Sequence, residues 1–168
     1  MEYLLTVDEN DNVTGLEEKV KSHMGDGILH RAFLLMAYDG QGRLILARRS
    51  PKKMLWPGYW DGTVASHPRE GEEYVQAALL RLEQELGVKA RDARLLSKFT
   101  YKAHYRDVGV EHEVCAVLRV DGISLEDLKP DPEEVSEILA VEPEKVVDMT
   151  DVCPWLLQGM QLLLSQGT

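Results

Sequence analysis

The stretch SHPREGEEYVQAALLRLEQELGV, residues 66–88, decides how the rest of the chain is read. Within it Val75, Ala78, Leu79, Leu82 and Leu86 recur at helical spacing. That spacing predicts a helix over 72–86, and Gly87 stands where a left-handed residue would end it. A loop with Gly71 feeds this helix, which carries Glu72, Arg81 and Glu85. Carboxylates on such a helix can hold Mg²⁺ against a diphosphate. Standing alone, the segment reads as well as an amphipathic surface helix, because Glu and Arg are good helix formers.

Working outward, the flanking segments read mostly as strands. Upstream, YLLTV (3–7) ends in the turn DENDN, and AFLLMAY (32–38) and RLILARR (43–49) form a hairpin about the turn at 39–42. YWDGTVAS (59–66) returns as a further strand directly before the helix. Downstream, KFTYKA (98–103) and EHEVCAVLRV (111–120) read as a strand pair and SEILAV (136–141) as another strand. SLEDL opens a short helical turn, with Ser124 capping and Asp127 three residues later. A short helix over 143–147 and a terminal helix opened by Pro154 complete the pattern. Mixed strands with a long helix in the middle and one at the end predict an α/β fold, with mixed β-sheets sandwiched between α-helices.

A chain of 168 residues with 44% hydrophobic residues fits one domain over 1–168, and no repeat or linker divides it. Lys plus Arg is 19 against 29 for Asp plus Glu. The resulting net charge of -10 argues against broad binding of nucleic acid or anionic membranes. No apolar stretch approaches the roughly 20 residues needed to span a bilayer. The opening MEYLLTVDENDN lacks a charged segment before an apolar one, so the expected location is cytoplasmic. Cys115 and Cys153 form no CxxC pair, so neither a disulfide framework nor a thiolate zinc site is expected. Any metal would need His and carboxylate ligands.

His23, His30 and His67, with Glu111 and Glu113 flanking His112, supply such ligands. Strand alternation puts Glu111 and Glu113 on one face, about 6.8 Å apart, close enough to share an ion, with His112 pointing away. An ExE on a strand is also what a solvated face looks like.

Together these residues resemble the Nudix superfamily, and within it the type 1 isopentenyl diphosphate isomerase branch, from LEEKVKSH near residue 16 to the CPW segment at 153–155. The Nudix box runs Gly, five residues, Glu, seven residues, then Arg-Glu-aliphatic-x-Glu-Glu-x-Gly-aliphatic. Here Ser66 replaces the first Gly, Leu80 and Arg81 replace Arg-Glu, and Gln84 replaces the first paired Glu, while Glu72, Glu85, Gly87 and Val88 match. That degeneration is similar to the isomerase branch, whose helix carries an Arg at the place of Arg81 and one carboxylate at that of Glu85. The resemblance implies His23, His30, His67, Glu111 and Glu113 as ligands of one Mn²⁺, Mg²⁺ or Zn²⁺. It implies Glu85 and the backbone carbonyl of residue 65 around a Mg²⁺ that meets the substrate diphosphate. Lys19, Arg49, Lys53 and Arg81 would then neutralise the phosphate oxygens of a trianionic ligand. Tyr101 matches an aromatic residue near the catalytic carboxylate Glu113, and Trp155 one that faces an isoprenoid carbocation. The implied activity is the metal-dependent interconversion of isopentenyl and dimethylallyl diphosphate in isoprenoid biosynthesis.

One position departs from the branch. Its members carry a catalytic Cys directly before the Gly/Ser-His-Pro triplet, and this chain has Ala65 there. Isomerisation adds a proton at one carbon and removes one from another, and Ala65 can do neither. Three readings follow from the sequence. The first is an isomerase in which Asp61, Thr63 or Cys153 replaces the thiol. The second is a Nudix hydrolase of a prenyl or nucleoside diphosphate, against which Gln84 counts. The third is a non-catalytic prenyl-diphosphate binder, or a variant inactivated by a Cys-to-Ala change.

Overall fold

HRAFLLMAY, residues His30–Tyr38, is apolar on both faces, and the fold is built around the strand it forms. The computed structural model describes residues 1–167. Its strands are β1 (Tyr3–Val7), β2 (Val13–Glu18), β3 (His30–Tyr38), β4 (Leu44–Arg49), β5 (Trp60–Asp61), β6 (Val64–Ser66), β7 (Arg94–Tyr105), β8 (Gly109–Val120) and β9 (Val135–Val141). Its helices are α1 (Lys19–Ser22), α2 (Tyr74–Leu86) and α3 (Pro154–Ser165). Along one edge β3 pairs in parallel with β8, from His30 opposite Glu113 to Ala37 opposite Val120. A strand has only one other edge, and three antiparallel partners share it in turn: β1 at His30, β6 at Phe33 to Leu35, and β4 at Ala37 and Tyr38. The sheet therefore spreads at β3, with β7 beyond β8 and β9 beyond β4.

Successive side chains of a strand point to opposite faces, so β3 feeds two cores. Phe33, Leu35 and Ala37 pack with Ala77, Ala78, Leu82 and Leu86 of α2. Leu34, Met36 and Tyr38 pack with Trp155, Leu156, Met160 and Leu163 of α3. One mixed sheet thus lies between helices, as the alternation of elements predicts. Each fully buried leucine contributes about 2 kcal/mol of apolar burial, which is why the continuous apolar run of β3 sits at the centre. Among the described residues no helix is long and apolar enough to cross a membrane.

Several elements differ from the sequence expectations for local reasons. Residues 59–66 form two strands rather than one: β5 pairs with β4, the chain crosses over at Gly62 and Thr63, and β6 pairs with β3. A Cβ on Gly62 would lie 2.4 Å from Leu34 Cδ1, so any side chain at this crossing would have to displace that buried leucine. Helix α2 starts at Tyr74 rather than residue 72, because Glu72 closes a turn: its amide bonds Arg69 O at 3.0 Å and its side chain accepts from the Arg69 amide at 3.0 Å. Its end is as expected, with Gly87 left-handed at φ 69°. Strand β2 is an addition, formed where Asp8 Oδ1 accepts from the Asn10 and Asn12 amides and turns the chain back on β1. Ser124 precedes a 3-10 turn at Leu125–Asp127 without a side-chain capping bond; its backbone carbonyl accepts from the Asp127 amide instead.

Candidate active site

The parallel register of β3 and β8 sets His30 beside Glu113, and the β7–β8 register sets Tyr101 on the other side of Glu113. Glu111 shares the face of Glu113 by strand alternation. His67 comes one residue past the end of β6, and His23 at the C-terminal end of α1. All five of these His and Glu side chains are buried. Ligand atoms of His23, His30, His67 and Glu111 lie within 4.8 Å of one another. Glu113 adjoins them through Oε2, 3.1 Å from His30 Nε2 and 2.8 Å from His67 Nε2.

The chemistry of this donor set fits a divalent ion. His23 Nδ1–H donates to Lys19 O at 2.6 Å, and His30 Nδ1–H to Ile28 O at 2.7 Å. A neutral imidazole has a single N–H, so a ring that donates from Nδ1 can offer Nε2 to a metal ion. Each Nε2 lies against a carboxylate oxygen, at 2.9 Å between His23 and Glu111 and 3.1 Å between His30 and Glu113. Such a contact is satisfied either by a proton on Nε2 or by a divalent cation among these atoms, and orientation of the distal ring nitrogen by backbone carbonyls is how metal-binding imidazoles are held. Burial draws His67 down to about 4, so this ring is neutral at pH 7. Burial and then the Glu113 charge push Glu111 up. For Glu113 burial acts upward, but hydrogen bonds from His30 and His67 outweigh it and hold the carboxyl well below its ordinary range. Tyr101 O–H donates to Glu113 Oε1, and burial followed by the two glutamates keeps the phenol protonated far above its ordinary value.

This cluster forms one wall of a cavity of about 410 Å³. Lys19, Arg49, Lys53 and Arg81, expected to meet phosphate, all line it, together with Arg69. Each of the four is held by a carboxylate: Lys19 by Glu2 at 3.2 Å, Arg49 by Asp61 at 3.1 Å, Lys53 by Glu134, and Arg81 by Glu72 at 3.6 Å. Arg81 also reaches Gln84 Oε1 at 3.4 Å and His67 O at 3.5 Å. Glu2, Glu85, Glu111, Glu113, Asp131 and Glu134 line the same space. Carboxylates thus match the cations there, and an anionic ligand enters this cavity best with divalent ions of its own. Burial and the adjacent Glu134 push Glu85 up to about 8, a carboxylate in want of a cation. Trp155 lines the cavity, and its ring lies 6.1 Å from that of Tyr101, which sits behind Glu113.

Ala65 lies on the cavity wall, with its backbone paired to Leu34. None of the three expected substitutes for a thiol joins it there. Thr63 Oγ1 donates to Ile45 O at 2.6 Å and accepts from the Ala37 amide at 2.8 Å, so the crossover uses it up. Cys153 is buried at the start of α3. Asp61 is screened by Arg49 and Trp155, which both bond it. Two proton-bearing groups that line the cavity, Ser66 and Cys115, were not anticipated. The alternation that pairs Glu111 with Glu113 runs on to Cys115, so that signal was present in the sequence. Asp131 and Glu134 come from the loop before β9, and no local pattern marks them.

Comparison with known proteins adds three kinds of finding. The NUDIX domain family matches residues 28–161. The chain is similar to an isopentenyl-diphosphate Delta-isomerase of Haloarcula marismortui, 42% identical over 169 aligned positions that cover 94% of this chain and 89% of that protein. The protein of the same name from Photorhabdus laumondii, numbered 1, is 41% identical over 139 positions, covering 81% of this chain and 77% of its own length. Among solved structures, DR0079 from Deinococcus radiodurans superposes with a TM-score of 0.77 at 22% identity, covering 95% of this chain and 98% of that one. A MutT protein from Methanosarcina mazei gives 0.71 at 14% identity over 83% of this chain and 96% of that one; at these identities the likeness is one of fold.

Proposed function

Because the chain belongs to the NUDIX domain family and, within it, to the isopentenyl-diphosphate Delta-isomerases, we propose that it interconverts isopentenyl and dimethylallyl diphosphate. The observation that carries this reading is the Glu113–Tyr101 pair at the His/Glu cluster, facing a cavity whose other walls are Trp155 and the basic residues. His23, His30, His67, Glu111 and Glu113 would hold one Mn²⁺ or Mg²⁺, with Zn²⁺ compatible with the same donors. When bound, that ion supplies positive charge that keeps the glutamates ionised beside one another.

In this reading Glu113 exchanges a proton with the substrate carbon through Oε1, the oxygen that Tyr101 hydrogen-bonds. Oε2 faces the imidazoles, so the two oxygens have separate tasks. Tyr101 sets the basicity of Oε1, since a neutral phenol donor favours the charged carboxylate. Lys19, Arg49, Lys53 and Arg81 hold the diphosphate, and Glu85 with the carbonyl of Ala65 would hold its Mg²⁺. Trp155 offers a π face to the cationic carbon.

Ala65 favours a second reading, in which the protein binds the prenyl diphosphate without turning it over. Hydrolysis is disfavoured by Gln84, which stands where hydrolytic boxes place a metal-organising glutamate. The test is to incubate metal-loaded protein with isopentenyl diphosphate in D₂O, following carbon-bound deuterium by NMR and released phosphate in parallel. Deuterium in dimethylallyl diphosphate is the expected result. Phosphate release without exchange would make it a hydrolase. Silence in both channels, relieved by Ala65→Cys, would leave the second reading.

A further inference from the structure

Behind the cavity wall a single buried carboxylate ties Arg49 to Trp155. Asp61 is 4% exposed and does not line the cavity itself. Its Oδ1 accepts from the Trp155 indole N–H at 2.7 Å and from the Gly62 amide at 2.7 Å, and its Oδ2 accepts from Arg49 Nη1 at 3.1 Å. All three partners are donors that favour the ionised carboxylate, and they oppose the burial that pushes this carboxyl up. The Arg49 guanidinium also lies over the Trp155 ring, with Cζ 5.4 Å from its centroid, while Nε and Nη2 are anchored on Leu55 O at 3.1 and 2.9 Å. One indole therefore has a cation on one face and an anion on its N–H edge.

That arrangement bears on what the other face can attract. Arg49 alone would repel a second positive charge brought up to the same ring. A carboxylate on the N–H edge draws the indole proton toward itself, raises the electron density of the ring, and offsets the guanidinium charge. It leaves Arg49 fixed by Leu55 O and still able to donate toward phosphate.

We propose that Asp61 is a positioning residue that allows Trp155 to face a carbocation while Arg49, stacked on the same ring, serves the diphosphate. The inference rests on the isomerase reading above. Asp61 acts through the two side chains and never touches substrate.

The test compares two probes on metal-loaded protein by calorimetric titration. One is inorganic diphosphate; the other is a five-carbon diphosphate with a tertiary ammonium in place of the cationic carbon. Asp61→Asn keeps an oxygen for the indole and Gly62, and loses both the charge and the oxygen that accepts from Arg49. It should weaken the ammonium probe about five- to tenfold and leave inorganic diphosphate within about twofold of wild type. In turnover it should lower kcat with little change in KM. Asp61→Ser, also neutral and smaller, should show the same selectivity. Parallel weakening of both probes, no weakening of either, or failure of both variants to fold would overturn the proposal and leave Asp61 as part of the fold alone. Wild-type protein that prefers the ammonium probe and turns over substrate, with neutral variants that match it, sinks this inference and spares the isomerase reading. Wild-type protein with neither property sinks that reading first.

Discussion

Glu113 meets unlike neighbours at its two oxygens: imidazole nitrogens at Oε2 and a phenol at Oε1. A neutral amide of the same shape keeps the packing and loses the proton acceptor. Glu113→Gln should therefore lower turnover by about 10²- to 10⁴-fold, the range of a general acid–base group, with the melting temperature near wild type. Full activity in that variant, measured by deuterium exchange, would remove Glu113 from the reaction. Tyr101 makes a companion case. Its phenol is kept protonated well above the ordinary tyrosine value, first by burial and then by the two glutamates. It thus remains a donor across the neutral and mildly alkaline range, and no loss of activity below pH 9 should trace to it. Tyr101→Phe should depress kcat by about tenfold or more at every pH in that range while KM holds, because the hydrogen bond to Oε1 is lost and the diphosphate site is not. A pH–rate profile that changes shape between wild type and Tyr101→Phe would contradict this.

At the level of elements, two residues with no part in the chemistry hold strands in place. Asp11, left-handed at φ 64°, accepts from Lys98 Nζ at 2.6 Å, Tyr74 O–H at 2.7 Å and Arg31 Nε at 2.8 Å, and so ties the β1–β2 turn to α2, β3 and β7. Burial pushes its carboxyl up, but these bonds together hold it below the ordinary 3.8. A carboxyl lowered in the folded state stabilises above its unfolded value, and the gain is lost as pH falls through the folded one. Asparagine tolerates the same backbone, so Asp11→Asn isolates the charge and should cost about 1–2 kcal/mol at pH 7. Melts of both proteins should differ fully at pH 7 and converge below about pH 3; a gap unchanged at low pH would show that the charge is irrelevant. Gly62→Ala should cost about 1–3 kcal/mol, read by denaturant melts, since Leu34 is fully buried and has nowhere to retreat. The same two sites show what the sequence could and could not reveal. Helix α2 was legible almost to its ends because its apolar period and Gly87 are local signals. The break at Gly62 was not, because it depends on a leucine 28 positions earlier. The alternation on β8 placed Glu111 with Glu113, and would have placed Cys115 beside them. The convergence of His23, His30 and His67 on those glutamates came from family resemblance, since no local period links residues so far apart in the chain. The carboxylates that hold Lys53 and Arg49 were illegible for the same reason.

For the whole molecule, the His/Glu cluster joins parts of the chain that the sheet alone holds loosely. His23 follows α1, His30 opens β3, His67 leaves β6 and Glu111 lies early in β8. Strand β1 meets β3 through one residue pair, Thr6 and His30, so the cluster adds to the attachment that Asp11 gives the N-terminal hairpin. Without a cation, two adjacent glutamates lie in a buried space, where burial and the Glu113 charge push Glu111 up, and their repulsion opposes folding at that point. A divalent ion that binds only the folded chain adds stability that grows with its excess over Kd, about 2.7 kcal/mol at a hundredfold excess. For a chain of this size that is a rise of about 5–10 °C in Tm. Adding Mn²⁺ to chelator-treated protein should produce such a rise, and a chelator should reverse it. Because imidazoles bind metal only when neutral, the gain should shrink as pH falls, and the loss should begin above the ordinary imidazole value of 6.5, since Glu111 raises His23 against the downward pull of burial. His67→Ala removes one donor from the wall without touching the cavity's basic side, and should lose most of the Mn²⁺-dependent shift while still melting cooperatively. If Mn²⁺ raises Tm equally in that variant, the ion is bound elsewhere, and the buried imidazoles serve to position Glu113 through hydrogen bonds alone.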